Sequence, residues 1–133
     1  MSSFALQQAV YAALASNTDL QALIGNPPRL FDYVPRESAF PYVVLGDETE
    51  SDWSTATDAG TEHLFTVHAW SRNAGHRECK QIAEVIGTAL HDAPLSLTDA
   101  VLIDLRHLAT DFLREPDGQT FRASLRFRAV TEP

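Results

Sequence analysis

The chain is poor in the residues that mark most specialised folds. Its single cysteine, Cys79, excludes an internal disulfide framework and a cysteine-based zinc site. Nowhere does an apolar run reach about 18 residues, so no transmembrane helix is expected. The opening MSSFALQQAVYAALAS has no basic leader, and Gln7 and Gln8 interrupt its apolar residues, so it reads as a helix and not as a signal peptide. The six glycines are isolated, which leaves no glycine-rich phosphate loop. No G-x-S-x-G nucleophile elbow occurs. Cations are also scarce: ten Lys and Arg face eighteen Asp and Glu, a net charge of −8. Such a surface disfavours adhesion to nucleic acid or to an anionic membrane.

What is present suits one ordinary globular domain spanning residues 1–133. The hydrophobic fraction is 44% and the charged fraction 21%, which places disorder outside expectation. A chain of this length buries enough surface for one core without staples. The lone cysteine is compatible with folding in a reducing cytoplasm.

Apolar spacing predicts the elements. Phe4, Leu6, Val10, Tyr11 and Leu14 line a helical face that follows Ser2 and Ser3 as candidate caps. A short helix over about 18–24 ends at Gly25, and Asn26-Pro27-Pro28 breaks it. Leu30 to Val34 and Tyr42 to Glu48 read as strands. A polar loop over about 49–61 follows. Glu62 to Trp70 alternates, with Phe65, Val67 and Ala69 on one face and Leu64, Thr66, His68 and Trp70 on the other. His76 to Leu90 is the clearest helix, with Gly87 inside it as the mark of a close approach to a strand. Val101 to Arg114 and Thr120 to Val130 form a hairpin about Pro116-Asp117-Gly118. In the first of these strands the phase shifts, which predicts a bulge near Arg106-His107 and burial of Leu108 and Phe112. The fold class expected is α+β: a mostly antiparallel sheet of four to five strands with two to three helices packed on it.

Chemistry is thinly represented. His63 and His68 differ by an odd number along one strand, so they point to opposite faces and cannot share one ion. His76 and Cys79 lie one helical turn apart, but no carboxylate at matching spacing completes a ligand set. The acidic group Asp47, Glu48, Glu50 and Asp52 is a solvated charge run in preference to an acid–base pair, and alternation sets Asp47 and Glu48 on opposite faces. No catalytic, cofactor-binding or metal site is therefore assigned. The residues singled out, Trp53, Asp47, Glu48, Arg122, Arg126 and Arg128, are candidates for an interface. Arg122, Arg126 and Arg128 concentrate basic charge on one strand face, either as donors to carboxylates of a neighbouring subunit or as a solvated outer face. Trp53 stands almost alone in a polar loop, either as a contact anchor or folded back on its own core.

The stretch from Phe40 to Arg72 carries a resemblance. Phe40-Pro41-Tyr42-Val43 opens a strand, Trp53-Ser54-Thr55 sits in the loop, and Trp70-Ser71 ends the next strand before a helix. In order and spacing these residues resemble the DUF3168, or tail-terminator-like, family of small phage and prophage tail proteins. Within it they resemble the version carried by phage-like gene transfer agents. The resemblance implies a structural tail-completion role without catalysis or cofactor. It implies a homo-oligomeric ring, generally hexameric, at the head-proximal end of the tail. The implied partners are the major tail tube protein and a head-side stopper or connector, with DNA passing through the lumen without specific binding. Assembly in the cytoplasm of the producing bacterium, followed by residence in the virion neck or tail, goes with it. A head-side connector ring and a small ligand-binding domain or enzyme near Trp70 and His68 are the competing readings.

Overall fold

Three helices and five strands follow in the order α1 (Ser2–Ala15), α2 (Thr18–Ile24), β1 (Leu30–Phe31), β2 (Tyr42–Asp52), β3 (Thr61–Ser71), α3 (Arg77–Leu90), β4 (Val101–Arg114) and β5 (Phe121–Glu132). These elements come from a computed structural model that describes residues 2–133. The sheet order is β1-β2-β3-β5-β4. Every pairing is antiparallel except the short parallel contact of β1 with β2. The α+β expectation is met, with β5 near the centre of the sheet and β4 at its edge.

The helices form because each has one face to bury. In α3, Cys79, Ile82, Ala83, Ile86 and Leu90 recur at helical spacing and are buried. They meet Val67 and Ala69 of β3 and Ala123, Leu125 and Phe127 of β5 in one cluster that also holds Leu6, Val10, Leu14, Leu20 and Ile24 of the first two helices. Burying a side chain such as Ile86 or Leu90 contributes about 1.5–3 kcal/mol each. Asn17 caps α2 by accepting from the Leu20 amide at 2.9 Å. Gly25 ends it at φ 94°, a conformation that suits glycine.

Several expectations need correction. The strand expected over residues 30–34 is only two residues long, because Tyr33 is already 90% exposed and Pro35 follows. The expected loop over 49–61 shrinks to residues 53–60, since β2 continues to Asp52 and pairs with Thr61. Composition misled there: a hairpin arm that reaches past the helices can be polar on both sides. The bulge expected near Arg106-His107 is present in β4, between His107 and Ala109, and a second, unexpected one lies between Leu102 and Asp104. The bulge turns Leu108 outward, so it is 53% exposed where burial was expected; Phe112, opposite Ala123 on the helix-facing side, lies against Lys80 at the rim of α3 and stays 39% exposed. Val101 and Ile103 are likewise exposed, while Leu105 is buried. At Gly87 an added Cβ would meet nothing within 4 Å, so no strand of this chain requires the glycine.

The register of β2 against β3 shifts between Leu45 and Glu48. Gly46 sits in that shift, and there the lack of a side chain is required. A Cβ would lie 2.8 Å from Nε2 of His68 and 2.9 Å from the Thr66 carbonyl oxygen. The carbonyl belongs to the sheet backbone and cannot give way cheaply. Gly46→Ala is therefore expected to destabilise the chain by about 1–3 kcal/mol, read as a lowered midpoint in urea. An unchanged midpoint would mean that the bulge relaxes.

Candidate functional site

The helices cover one face of the sheet and leave the other open. The open face takes Glu62, Leu64, Thr66, His68 and Trp70 from β3 and Arg122, Ser124, Arg126 and Arg128 from β5, as alternation requires. Strand β4 adds Asp104 beside Val130, Arg106 opposite Arg128 and Asp111 opposite Ser124.

All three arginines of the β5 stripe meet carboxylates of their own chain. Nε of Arg128 donates to Glu62 at 2.6 Å, and its Nη1 lies 3.6 Å from Asp104. Arg126 donates to Asp111. Nε of Arg122 comes within 3.4 Å of Glu115 without hydrogen-bond geometry, so that contact is electrostatic only. The stripe is thus a matched ionic ladder across β3, β5 and β4.

Aromatic rings continue the ladder. The Arg122 guanidinium lies 5.3 Å from the Trp70 ring, and Trp70 stacks on Tyr42 with centroids 6.3 Å apart. Tyr42 meets Phe40 at 5.0 Å, and Arg72 lies 4.3 Å above Phe40. Burial raises the Tyr42 pKa, opposed by the nearby Arg72 charge. Phe40, Tyr42 and Trp70, three residues of the sequence motif, form one physical cluster. At the far end of the face Trp53 lies over Arg128, 4.8 Å from ring centroid to guanidinium, and stays 52% exposed. It is neither core nor free.

Asp47 and Glu48 do separate, as alternation expected, but through the bulge. Glu48 turns under α1, where Oε2 accepts from Ser3 at 2.8 Å and meets Nδ1 of His63 at 2.8 Å. His63 is fully buried, and its Nε2 is shared between Thr131 at 3.0 Å and Ser2 at 3.2 Å. This network ties the first turn of α1 to β2, β3 and β5, and its members satisfy one another. The position of His63 was legible, because it shares the phase of Phe65 and Val67; its partners were not, because they lie 15 to 68 residues away. Asp47 remains exposed at the mouth of a cleft of about 270 Å³ between α1 and β2, floored by Leu6, Val10 and Phe65.

Burial, then the Arg122 charge, hold the His68 pKa below the ordinary histidine value, while Asp47 pulls it back. Nδ1 of His68 meets Ser124 at 2.8 Å. Burial pushes the Cys79 thiol up to about 11, which keeps it protonated and unreactive. Among the described residues no group of three His, Cys, Asp or Glu side chains could hold a metal ion. No described helix is long and apolar enough to cross a membrane.

Two predictions come from this face. Arg128→Gln removes two carboxylate contacts and the Trp53 contact in a half-buried setting, and is expected to cost about 1–2 kcal/mol of stability. Arg126→Gln, at an exposed pair, should cost less than about 1 kcal/mol; equal effects in chemical denaturation would refute the ladder ordering. For His68, the unfolded chain binds its proton at higher pH than the folded chain, so stability falls as pH drops below the ordinary histidine value. His68→Asn should make the denaturation midpoint fall less steeply between pH 7 and pH 5.5 than in the unsubstituted chain.

Comparison with known proteins places this arrangement. A family described as "Tail completion protein gp17" matches residues 8–132. The tail completion protein gp17 of Bacillus phage SPP1 is 22% identical over 128 residues, 96% of this chain and 92% of that protein. Among solved structures, a chain from the virion of a native gene transfer agent particle superposes with a TM-score of 0.91. It is 34% identical, and the match covers 99% of this chain and 98% of that one.

Proposed function

The chain belongs to the tail completion protein gp17 family, and from that membership we propose that it closes the head-proximal end of a phage-like tail as a ring of identical subunits. It is a structural protein of a phage or gene transfer agent tail and not an enzyme, and it works among other proteins of the particle. The finer proposal is that one ring face fits the last ring of the tail tube and the other fits a head-side connector. DNA would pass through the lumen without specific binding.

One observation carries this reading. The core is complete, yet Tyr33, Phe4 and Trp53 are each more than half exposed, Trp53 resting only on Arg128. A tryptophan held at a hairpin tip in this way is suited to anchor a contact. Trp53 is the best placed, because a hairpin arm that projects beyond the helices presents it. The ionic ladder supports a sliding role for the DNA: its cations are neutralised within the chain, so the open face offers phosphates no free row of charge.

The test uses particle production. Without the protein, tails should fail to join heads or should vary in length. Trp53→Ala should leave free-chain stability within about 1 kcal/mol, since it loses one exposed cation–π contact, and should lower the yield of finished particles. Normal particles of normal tail length would remove Trp53 from the contact. Normal particles in the complete absence of the chain would overturn the tail-completion role itself.

A further inference from the structure

We propose that successive copies of this chain join edge to edge, the β4 margin of one copy receiving the acidic free half of β2 from the next. The proposal rests on the ring reading above and specifies its subunit contact.

Strand β4 pairs with no strand on its outer side; the Leu105 carbonyl there accepts from the Asp92 amide at 2.9 Å and the His107 amide donates to Nδ1 of His91 at 3.1 Å, and beyond His107 no such cover is present among the described residues. Edge strands of monomers are usually defended by charge or proline. Here the two bulges turn Ile103 and Leu108 outward, and with Val101 each is more than half exposed. Beneath β4 lies a groove of about 470 Å³ against α3, bordered by Lys80, Gly87, His107 and Phe112. Gly87 faces empty space in its own chain, at the helix-stability cost of an interior glycine. That cost has a use if a neighbouring backbone approaches there.

The opposite edge is the electrostatic complement. Strand β1 covers only Val43 and Val44 of β2, so from Leu45 to Asp52 no strand pairs with the outer side. This free half carries Asp47, Glu50 and Asp52, and none of them lies within ion-pair distance of a described Lys or Arg. On the β4 side, Arg77, Lys80 and Arg114 likewise find no carboxylate among the described residues. Lys80 rests over the Phe112 ring and Arg114 over the Phe121 ring. Glu84 also borders this groove, so the β4 side is basic by the excess of Lys80 and Arg114 over one acid, while the β2 edge carries acids alone.

Direction agrees with charge. Three successive antiparallel pairings make β2 and β4 antiparallel to each other. A second copy in the same orientation thus presents its β2 antiparallel to β4. The contact uses different surfaces on the two partners, and contacts of that kind close into rings when the rotation between copies allows. The bulges interrupt a regular ladder, so apolar side chains and charges share the contact with a few backbone bonds.

The experiment is a charge exchange in the full chain, read as copies incorporated per particle. Lys80→Glu with Arg114→Glu should lower incorporation about tenfold or more, as should Glu50→Lys with Asp52→Lys, because each sets like charges against each other. All four changes in one chain should restore incorporation to within about threefold. An uncharged probe is Gly87→Gln, which fits its own chain and should keep the thermal midpoint while blocking incorporation. Reversals without effect, or a fourfold variant no better than the pairs, would overturn the edge contact while the unsubstituted chain still enters particles. An unsubstituted chain absent from tails would overturn the ring reading and this contact together.

Discussion

Everything in this domain hangs on β5. Its helix-facing row, Phe121, Ala123, Leu125, Phe127 and Ala129, is buried under α3, and its other row presents Arg122, Arg126 and Arg128. Both flanks are hydrogen-bonded, to β3 and to β4 over almost the full strand. A one-residue slip would place arginine in the core and phenylalanine in solvent. Apolar burial on one side and paired charge on the other therefore fix a single register, and the neighbouring strands inherit it.

That two-sided strand explains why the surface is divided as it is. The carboxylates that match the arginines come from β3 and β4, so the open face is locally neutral in a chain of net charge −8. Acids without an ion partner include Asp47, Glu50 and Asp52 on the β2 arm, and cations without one include Lys80 and Arg114 on the β4 side. The field of the protein arises at its margins. In an assembling particle, orientation at encounter would be set by those margins and weakened by salt.

The sequence was most legible where periodicity and burial coincide. α3 and the Phe121–Ala129 row declare themselves, and Gly25 marks the end of α2. It was least legible in β4. There Leu108 and Phe112 have the composition of core, but a bulge turns Leu108 outward, and Phe112 on the edge strand is covered only in part by α3. Patterning assumes that an apolar residue is covered by its own chain, and an edge strand breaks that assumption. Of the residues proposed for the interface, the arginine stripe was found correctly as one face, yet its carboxylates on other strands were invisible, because pairing between strands is not local. Glu48 was grouped with the solvated acids, although the bulge at Gly46 sends it inward to His63.

The buried histidine network also brings Ser2 and Thr131 into contact, with their hydroxyl oxygens 3.0 Å apart. The domain is thus topologically close to a loop. A short peptide could join its two ends, and the chain could be opened anew at the Asp117-Gly118 turn without cutting the sheet's central pairings. Any segment added at either end would leave from the same pole of the molecule, next to the hairpin tip that bears Trp53. Crowding by such extensions would fall on that pole and spare the opposite one.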